Sequence, residues 1–301
     1  MTLRHTIKAF LPAALRSPIR SLLFPNIADR SRRARSILAK AHRRIGVLNH
    51  ESPEVSGEAF FIRSILPSLI NSAVPTLFDV GANEGNYALA LQQTFPSATI
   101  HAFEPAPETY ARLHEKVAGT RVRCVRKGLS NEAGSATIYD YEKHASSQHA
   151  SLYAEVMTVL HKSSAVRSSQ IELGTLDDYC REHRLVAIDF IKIDTEGNEL
   201  AVLQGAKGLI ANGGLPIIQF EFNEMNVIAR TFLKDFYTLL EGYLFLRLMP
   251  SGLLPLGAYN PCNEIFAFQN FLAIRPELFE ARNLNRFLAS PLQRPPRVTG
   301  Q

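Results

Sequence analysis

Between residues 59 and 274, short apolar runs alternate with stretches whose apolar residues recur every three or four positions, the pattern of strands exchanging with helices. Thr76 to Val80, Thr99 to Phe103, Val122 to Val125, Ile188 to Ile193 and Ile217 to Phe222 predict strands buried on both faces of a parallel sheet. Helical spacing occupies Ala59 to Ile70, Asn86 to Thr94, Pro107 to Val117, Glu199 to Ile210 and Val227 to Leu240. Pro67 makes the last turn of the first helix irregular. Thr175-Leu-Asp-Asp178 is a capping-box pattern opening a short helix through Cys180. Asn212-Gly213-Gly214 stops the helix that starts at Glu199. Tyr243 to Leu248 and Ile265 to Ile274 predict the last two strands, antiparallel or nearly so, joined by the Pro/Gly-rich Pro250 to Pro261. Ala136 to Tyr139 reads as a short edge strand, and Ile171 to Leu173 as extended. The whole implies one doubly wound, mostly parallel α/β sheet whose ligand crevice lies at the C-terminal ends of its strands.

The first two runs place chemistry at that end. Asp79-Val80 leads into Gly81-Ala-Asn-Glu-Gly85, and Glu104-Pro105 follows the second run, 23 residues beyond Gly81. Strand, glycine loop, helix, strand and acid form a βαβ cradle for a nucleoside, with Glu104 where an acid meets ribose hydroxyls. A dinucleotide site needs Gly-x-Gly-x-x-Gly, but Asn83 and Asn86 stand in place of its second and third glycines. Glu84 adds negative charge where a phosphate would approach. S-adenosylmethionine carries a sulfonium and an ammonium and no phosphate, so acids such as Asp79 suit it. Gly128-Leu-Ser130, after the third strand, is a turn suited to border an adenine ring. A loop-and-cap role for Asp79 and Glu104 is the plainer alternative.

Polar residues also break two strands at period two. Lys192, Asp194 and Glu196 start on one face, as do Gln219, Glu221 and Asn223, while Ile218, Phe220 and Phe222 point the other way. An unpaired buried charge costs several kcal/mol, so these groups belong at open strand ends beside the crevice. Methyl transfer to a hydroxyl is an in-line displacement governed by positioning. Asp194 is the first candidate for its base, Glu196 and Glu221 stand behind it, and Lys192 would orient the acceptor or steady oxyanion charge. A purely structural Lys192–Glu221 pair is one alternative, and Mg²⁺ held by Asp194, Glu196, Glu221 and Asn223 is another. The reading without metal is preferred.

Composition changes the picture chiefly at the N-terminus. The chain has 301 residues and a net charge of +5. Eleven Lys and Arg against Asp29 alone give residues 1–50 a net +10, leaving −5 for the rest. A mildly acidic catalytic domain argues against nucleic acid as partner. Three segments result: a basic helical extension over 1–50, a catalytic domain over 51–275, and a Pro/Arg-rich tail over 276–301. In the extension, Met1 to Phe24 mixes apolar and basic residues around Pro12 and Pro18, and its Arg-rich start also fits an organelle transit peptide. Ser31 to Leu48 predicts a helix with the apolar stripe Ala34, Leu38, Ala41, Ile45 and Leu48. Its basic face suits an anionic membrane surface, or else the helix packs on its own domain. No apolar run approaches the roughly 18 residues that span a bilayer. Widely spaced Cys124, Cys180 and Cys262 point to a reducing compartment. The expected location is therefore cytoplasmic, with peripheral contact at the inner membrane surface through residues 1–50. Glu142 to Gln170 is polar and Ser/His-rich (His144, Ser146, Ser147, His149, Ser151, His161), which suits a substrate lid.

The strings Phe78-Asp-Val-Gly-Ala-Asn-Glu-Gly-Asn-Tyr87, His101-Ala-Phe-Glu-Pro105, Thr175-Leu-Asp-Asp178, Phe190-Ile-Lys-Ile-Asp-Thr-Glu-Gly197 and Leu203-Gln-Gly-Ala206 together resemble the FkbM-type methyltransferases over roughly residues 59–274. The resemblance implies the Rossmann-like, seven-stranded class I methyltransferase fold and S-adenosylmethionine-dependent methylation of a hydroxyl on a sugar, glycolipid or polyketide-like acceptor. It makes Asp79, Gly81, Asn83, Gly85 and Glu104 donor contacts, with Ala82, Pro105, Gly128 and Ser130 beside them, and turns Asp194 and Glu196 toward the reacting centre. The competing classes are a nicotinamide-dependent oxidoreductase and a non-catalytic membrane- or partner-binding module on the same fold.

Overall fold

The computed structural model describes residues 27–141, 151–153, 155–156 and 166–288. Met1 to Phe24, the residues His144, Ser146, Ser147, His149 and His161, and the end of the tail lie outside the described residues, so the transit and lid expectations are not addressed by them. The chain forms two units, Met1–Arg44 and Ile45–Gln301. In the first, Ile27–Arg44 is a single helix. It ends before Ile45 and Leu48 of the expected stripe, because Gly46 and Leu48 adopt the left-handed backbone that an α-helix cannot continue.

The strands of the second unit are β1 (Thr76–Val80), β2 (Thr99–Phe103), β3 (Val122–Val125), β4 (Gly128–Leu129), β5 (Gly134–Tyr141), β6 (Val166–Gly174), β7 (Phe190–Ile193), β8 (Ile217–Phe222), β9 (Leu244–Met249), β10 (Gly252–Pro255) and β11 (Gln269–Ile274). Eight of them form one sheet in the order β10-β9-β11-β8-β7-β1-β2-β3. β3, β2, β1, β7 and β8 are parallel, and β11 runs antiparallel between β8 and β9. Helices cover both faces, so this is the doubly wound, mostly parallel α/β fold expected from the sequence. Seven strands match the expected set. The eighth, β10, returns from β9 within the stretch read as a plain joint, and Pro255 closes it at the sheet edge, where a missing N–H costs no ladder bond. β4, β6 and β5 make a separate small sheet. There the expected edge strand lengthens to Gly134–Tyr141 and pairs along its whole length with β6.

Chain order reverses between β1 and β7, the switch point at which α/β sheets open a crevice. One face of the sheet packs Phe78, Ile191, Ile193, Phe220 and Phe222 under the helices Leu176–Glu182, Glu199–Gln204 and Leu233–Leu239. The other packs Leu77, Phe190 and Ile217 under Phe61, Ile65, Leu66 and Leu69. The helix carrying those residues takes a π turn over Phe61–Ile65, where Leu66 N–H reaches back to Phe61 O. Pro67 has no N–H to give and crowds the carbonyl four residues earlier, so the irregularity falls in the turn before it rather than in the last one. Two other expected helices are interrupted. Gly205 breaks the first because its backbone lies against Ser130 O, where an added Cβ would sit at 2.1 Å. Arg230, at φ 55°, separates Met225–Ala229 from Leu233–Leu239.

Candidate active site

Paired residues of in-register parallel strands stand side by side, so Asp79, Lys192 and Gln219 form one polar row across β1, β7 and β8. Ile218, Phe220 and Phe222 take the opposite face, as their alternation required. Beyond the row, at the C-terminal strand ends, lies a cavity of about 940 Å³, within the range of small-molecule sites.

One end of the cavity is backbone and a single acid. Gly81 (φ +80°) turns the chain out of β1, and its N–H and that of Ala82 donate to Phe103 O at 3.0 and 2.9 Å. Asn83, at φ 49°, keeps the loop in left-handed backbone, to which Asn is suited. Glu104 is nearly buried, and its carboxylate accepts Asn83 N–H at 3.1 Å and Ala106 N–H at 2.9 Å. Burial pushes its pKa up to about 7 against those two bonds, the Asp79 charge adding to the rise and Arg112 opposing it. Gly81, Ala82, Asn83, Glu104, Pro105, Gly128, Lys127 and Leu129 all face the cavity. Three of the expected donor residues stand behind it. Asp79 is fully buried, burial raises its pKa to about 6, and neither oxygen closes a hydrogen bond, although Ala88 N–H faces it. Gly85 packs against Leu113, and Ser130 Oγ donates to Asn131. Glu84 pairs with Arg112, 3.2 Å away, which offsets part of the charge that a phosphate would meet.

The other end holds the charged cluster. Lys192 Nζ donates to Asp194 Oδ2 at 2.8 Å and lies 4.8 Å from the centre of the Tyr87 ring. The alternative of a purely structural Lys192–Glu221 pair does not form: Glu221 Oε1 instead accepts from Asn223 Nδ2 at 2.5 Å. Burial holds the Glu221 carboxyl well above the usual range, reinforced by Asp194 and Glu196 and opposed by Lys192. Burial lowers the Lys192 pKa, but Asp194, Asp79 and Glu58 reverse this and keep the ammonium charged. Asn223 Oδ1 accepts Met225 N–H at 2.8 Å. Among the described residues no three His, Cys, Asp or Glu side chains are arranged to hold a metal ion.

The loop Asp194-Thr-Glu-Gly197 is held from beneath by Glu199, which sequence reasoning passed over. Its Oε1 accepts Thr195 N–H at 2.8 Å, Thr195 Oγ1–H at 3.0 Å and Gly197 N–H at 3.1 Å. Ser151, the one described residue of the expected lid's named set, donates its hydroxyl to Glu196 O at 2.8 Å. Tyr87, Lys127 and Glu58 also line the cavity unforeseen. Tyr87 ends the first quoted string and Lys127 directly precedes Gly128, whereas Glu58 lies far upstream of any motif.

The family model described as the methyltransferase FkbM domain matches residues 79–245, more than half of the chain. The chain belongs to the FkbM methyltransferase family. The matched range contains the glycine loop, Glu104 and the Lys192–Glu221 cluster, and it stops short of Glu58 and of β11. The chain is 27% identical over 147 residues to the 2-O-methyltransferase NoeI of Sinorhizobium fredii, covering 46% of this chain and 60% of that one. It is 30% identical over 153 residues to the 31-O-demethyl-FK506 methyltransferase FkbM of Streptomyces tacrolimicus, covering 44% and 59%. This chain thus spans about 60% of the length of those relatives. A crystal structure of methyltransferase FkbM from Methylobacillus flagellatus superposes with a TM-score of 0.43 at 14% identity, covering 82% of this chain and 60% of that one.

Proposed function

We propose that this FkbM-family methyltransferase moves the methyl group of S-adenosylmethionine to a hydroxyl of a sugar, glycolipid or polyketide-like acceptor. The observation that carries this reading is the Glu104 carboxylate, fixed by two backbone amides beside the glycine loop at one end of a cavity whose other end holds Asp194. The names of the relatives, a 2-O-methyltransferase and a 31-O-demethyl methyltransferase, support oxygen as the methylated atom. Glu104 would accept the ribose hydroxyls, and Gly128 and Leu129 would border the base. The donor supplies an electrophilic methyl on a sulfonium. Asp194 would accept the acceptor's hydroxyl proton, held in place by Lys192, while Glu196 and Glu221 complete the polar wall.

S-adenosylhomocysteine is expected to raise the Tm and NAD to leave it unchanged; a ligand at 100 times its Kd stabilises by about 2.7 kcal/mol. A shift with NAD alone would reverse the reading. The shift should be larger at pH 8 than at pH 5.5. Glu104 and Asp79 have raised folded-state pKa values, about 7 and about 6. Their contribution to apo stability is therefore complete below the unfolded carboxylate range and lost as pH rises through 6 to 7. Ribose hydroxyls favour the ionised Glu104 carboxylate, so affinity grows as pH rises through about 7. A flat or inverted profile would remove Glu104 from the donor contact.

A second reading concerns the N-terminal unit. Ile37 and Leu38 on helix Ile27–Arg44 are 68% and 54% exposed among Arg32, Arg33, Arg35 and Lys40. This arrangement suits peripheral contact with an anionic leaflet, each nearby base adding about 1 kcal/mol. Arg32→Glu, Arg33→Glu and Arg35→Glu together are expected to abolish sedimentation with phosphatidylserine vesicles; retained sedimentation would end the idea. Among the described residues no helix is long and apolar enough to cross a membrane.

A further inference from the structure

Strand order lays the cavity out as a ruler. Glu104 follows β2, Gly81 follows β1, Asp194 follows β7 and Glu221 lies on β8, in adjacent positions across the sheet. Neighbouring strands are about 4.8 Å apart, so the span from Glu104 to β8 is on the order of 14 Å. A nucleoside donor anchored at Glu104 brings its methyl group to the neighbourhood of Asp194. The space over β8 is left for the acceptor.

That space is closed by a segment upstream of the family-matched range. Ser52 caps the short helix Pro53–Ser56, and Gly57 (φ +92°) then lets the chain pass against the backbone of Met249, where a Cβ would sit at 2.4 Å from its carbonyl oxygen. This delivers Glu58 to the cavity wall. Its Oε2 accepts Ser56 Oγ–H at 3.0 Å, and its Oε1 accepts Gln219 Nε2–H at 3.0 Å. Gln219 is fully buried and cannot swing. It also donates to Asn270 Oδ1 at 3.0 Å and accepts Tyr87 O–H at 2.6 Å. The same Tyr87 ring lies under the Lys192 ammonium. One hydrogen-bonded chain therefore fixes Glu58 and seats Lys192, tying the upstream segment to the Lys192–Asp194 pair.

We propose that Glu58 is the acceptor-binding carboxylate of this site, taking a hydrogen bond from a hydroxyl next to the one that is methylated. This rests on the O-methylation reading above and narrows it to acceptors with neighbouring hydroxyls. Glu58 lines the cavity, and its carboxylate can accept from more donors than the two it already has. A role confined to tying helix to sheet would need only the Gln219 bond, which a glutamine at position 58 also accepts.

The test uses the full chain with methyl-labelled S-adenosylmethionine and a solvent extract of cellular glycans and glycolipids, the initial rate being followed against the amount of extract. Glu58→Gln is expected to raise the half-saturating amount at least ten-fold while S-adenosylhomocysteine affinity stays within two-fold. Ser56→Ala, which frees one carboxylate oxygen and leaves the charge, should raise it by less. Unchanged half-saturation in Glu58→Gln, or a parallel loss of S-adenosylhomocysteine affinity, overturns the assignment. Should Glu58→Gln fail to fold, Glu58→Asp decides by the same split, since a shortened carboxylate must weaken acceptor saturation and spare donor binding. Wild-type protein that binds S-adenosylhomocysteine but labels nothing in the extract overturns the acceptor reading itself, and Glu58 with it.

Discussion

Asp194→Asn is expected to lower turnover by about 10²–10⁴-fold, the usual contribution of a positioned base, with S-adenosylhomocysteine affinity little changed. Asp194 stands at the end of β7 with its N–H bonded to Val80 O at 2.9 Å, so its backbone position does not depend on its side chain. The variant removes the negative charge beside Lys192 Nζ, which is 2.8 Å away and on a side chain only 10% exposed. Breaking a buried pair completely costs about 3–5 kcal/mol. Here the ammonium keeps the fields of Asp79 and Glu58, so the loss should be nearer 1–2 kcal/mol and the variant should fold. Turnover and stability therefore separate. Labelled methyl transfer and urea denaturation on the same preparation read both, and turnover within ten-fold of wild type would remove Asp194 from the role of base.

Gly81→Ala should be the most damaging single change in the donor loop. Gly81 has φ +80°, and a Cβ there would lie 1.7 Å from the carbonyl oxygen of Asp194. Backbone cannot swing aside as a side chain can, so β1 and β7 must part at the switch point. A loss of about 3–5 kcal/mol is expected, together with the S-adenosylhomocysteine shift. Gly213→Ala is the control. Gly213 has φ +72° but nothing within 4 Å of an added Cβ, so it should show backbone strain alone, about 1–2 kcal/mol. Equal urea midpoints for the two variants would mean that the β1–β7 contact is looser than described.

The parallel strands, their order of appearance and the donor loop could be read from the chain because each rests on local constraints. Five short apolar runs cannot be exposed, Gly81 cannot be replaced where the chain turns sharply, and Lys192, Asp194, Gln219 and Glu221 alternate at a period that only a strand explains. What escaped reading depends on partners distant in sequence. β6 passes through polar Arg167 to Gln170, and its strand state comes from the ladder to β5. The break at Gly205 comes from Ser130, and the break at Arg230 from the need to start a new helix beside Glu264, which accepts Leu233 N–H at 2.9 Å.

Alternation along single strands determined which charged side chains would share a face, since side-chain direction in a strand is fixed by covalent geometry alone. Which of them pair was decided only in three dimensions. Lys192, in register with Gln219, donates to Asp194 two residues on at the end of its own strand, Glu221 accepts from Asn223, and Asp79 was drawn into the same row by the register of β1 on β7. Glu58 reached that row through a helix whose place over the sheet is set by apolar packing of Phe61, Ile65 and Leu66, a non-directional force that leaves no motif at position 58.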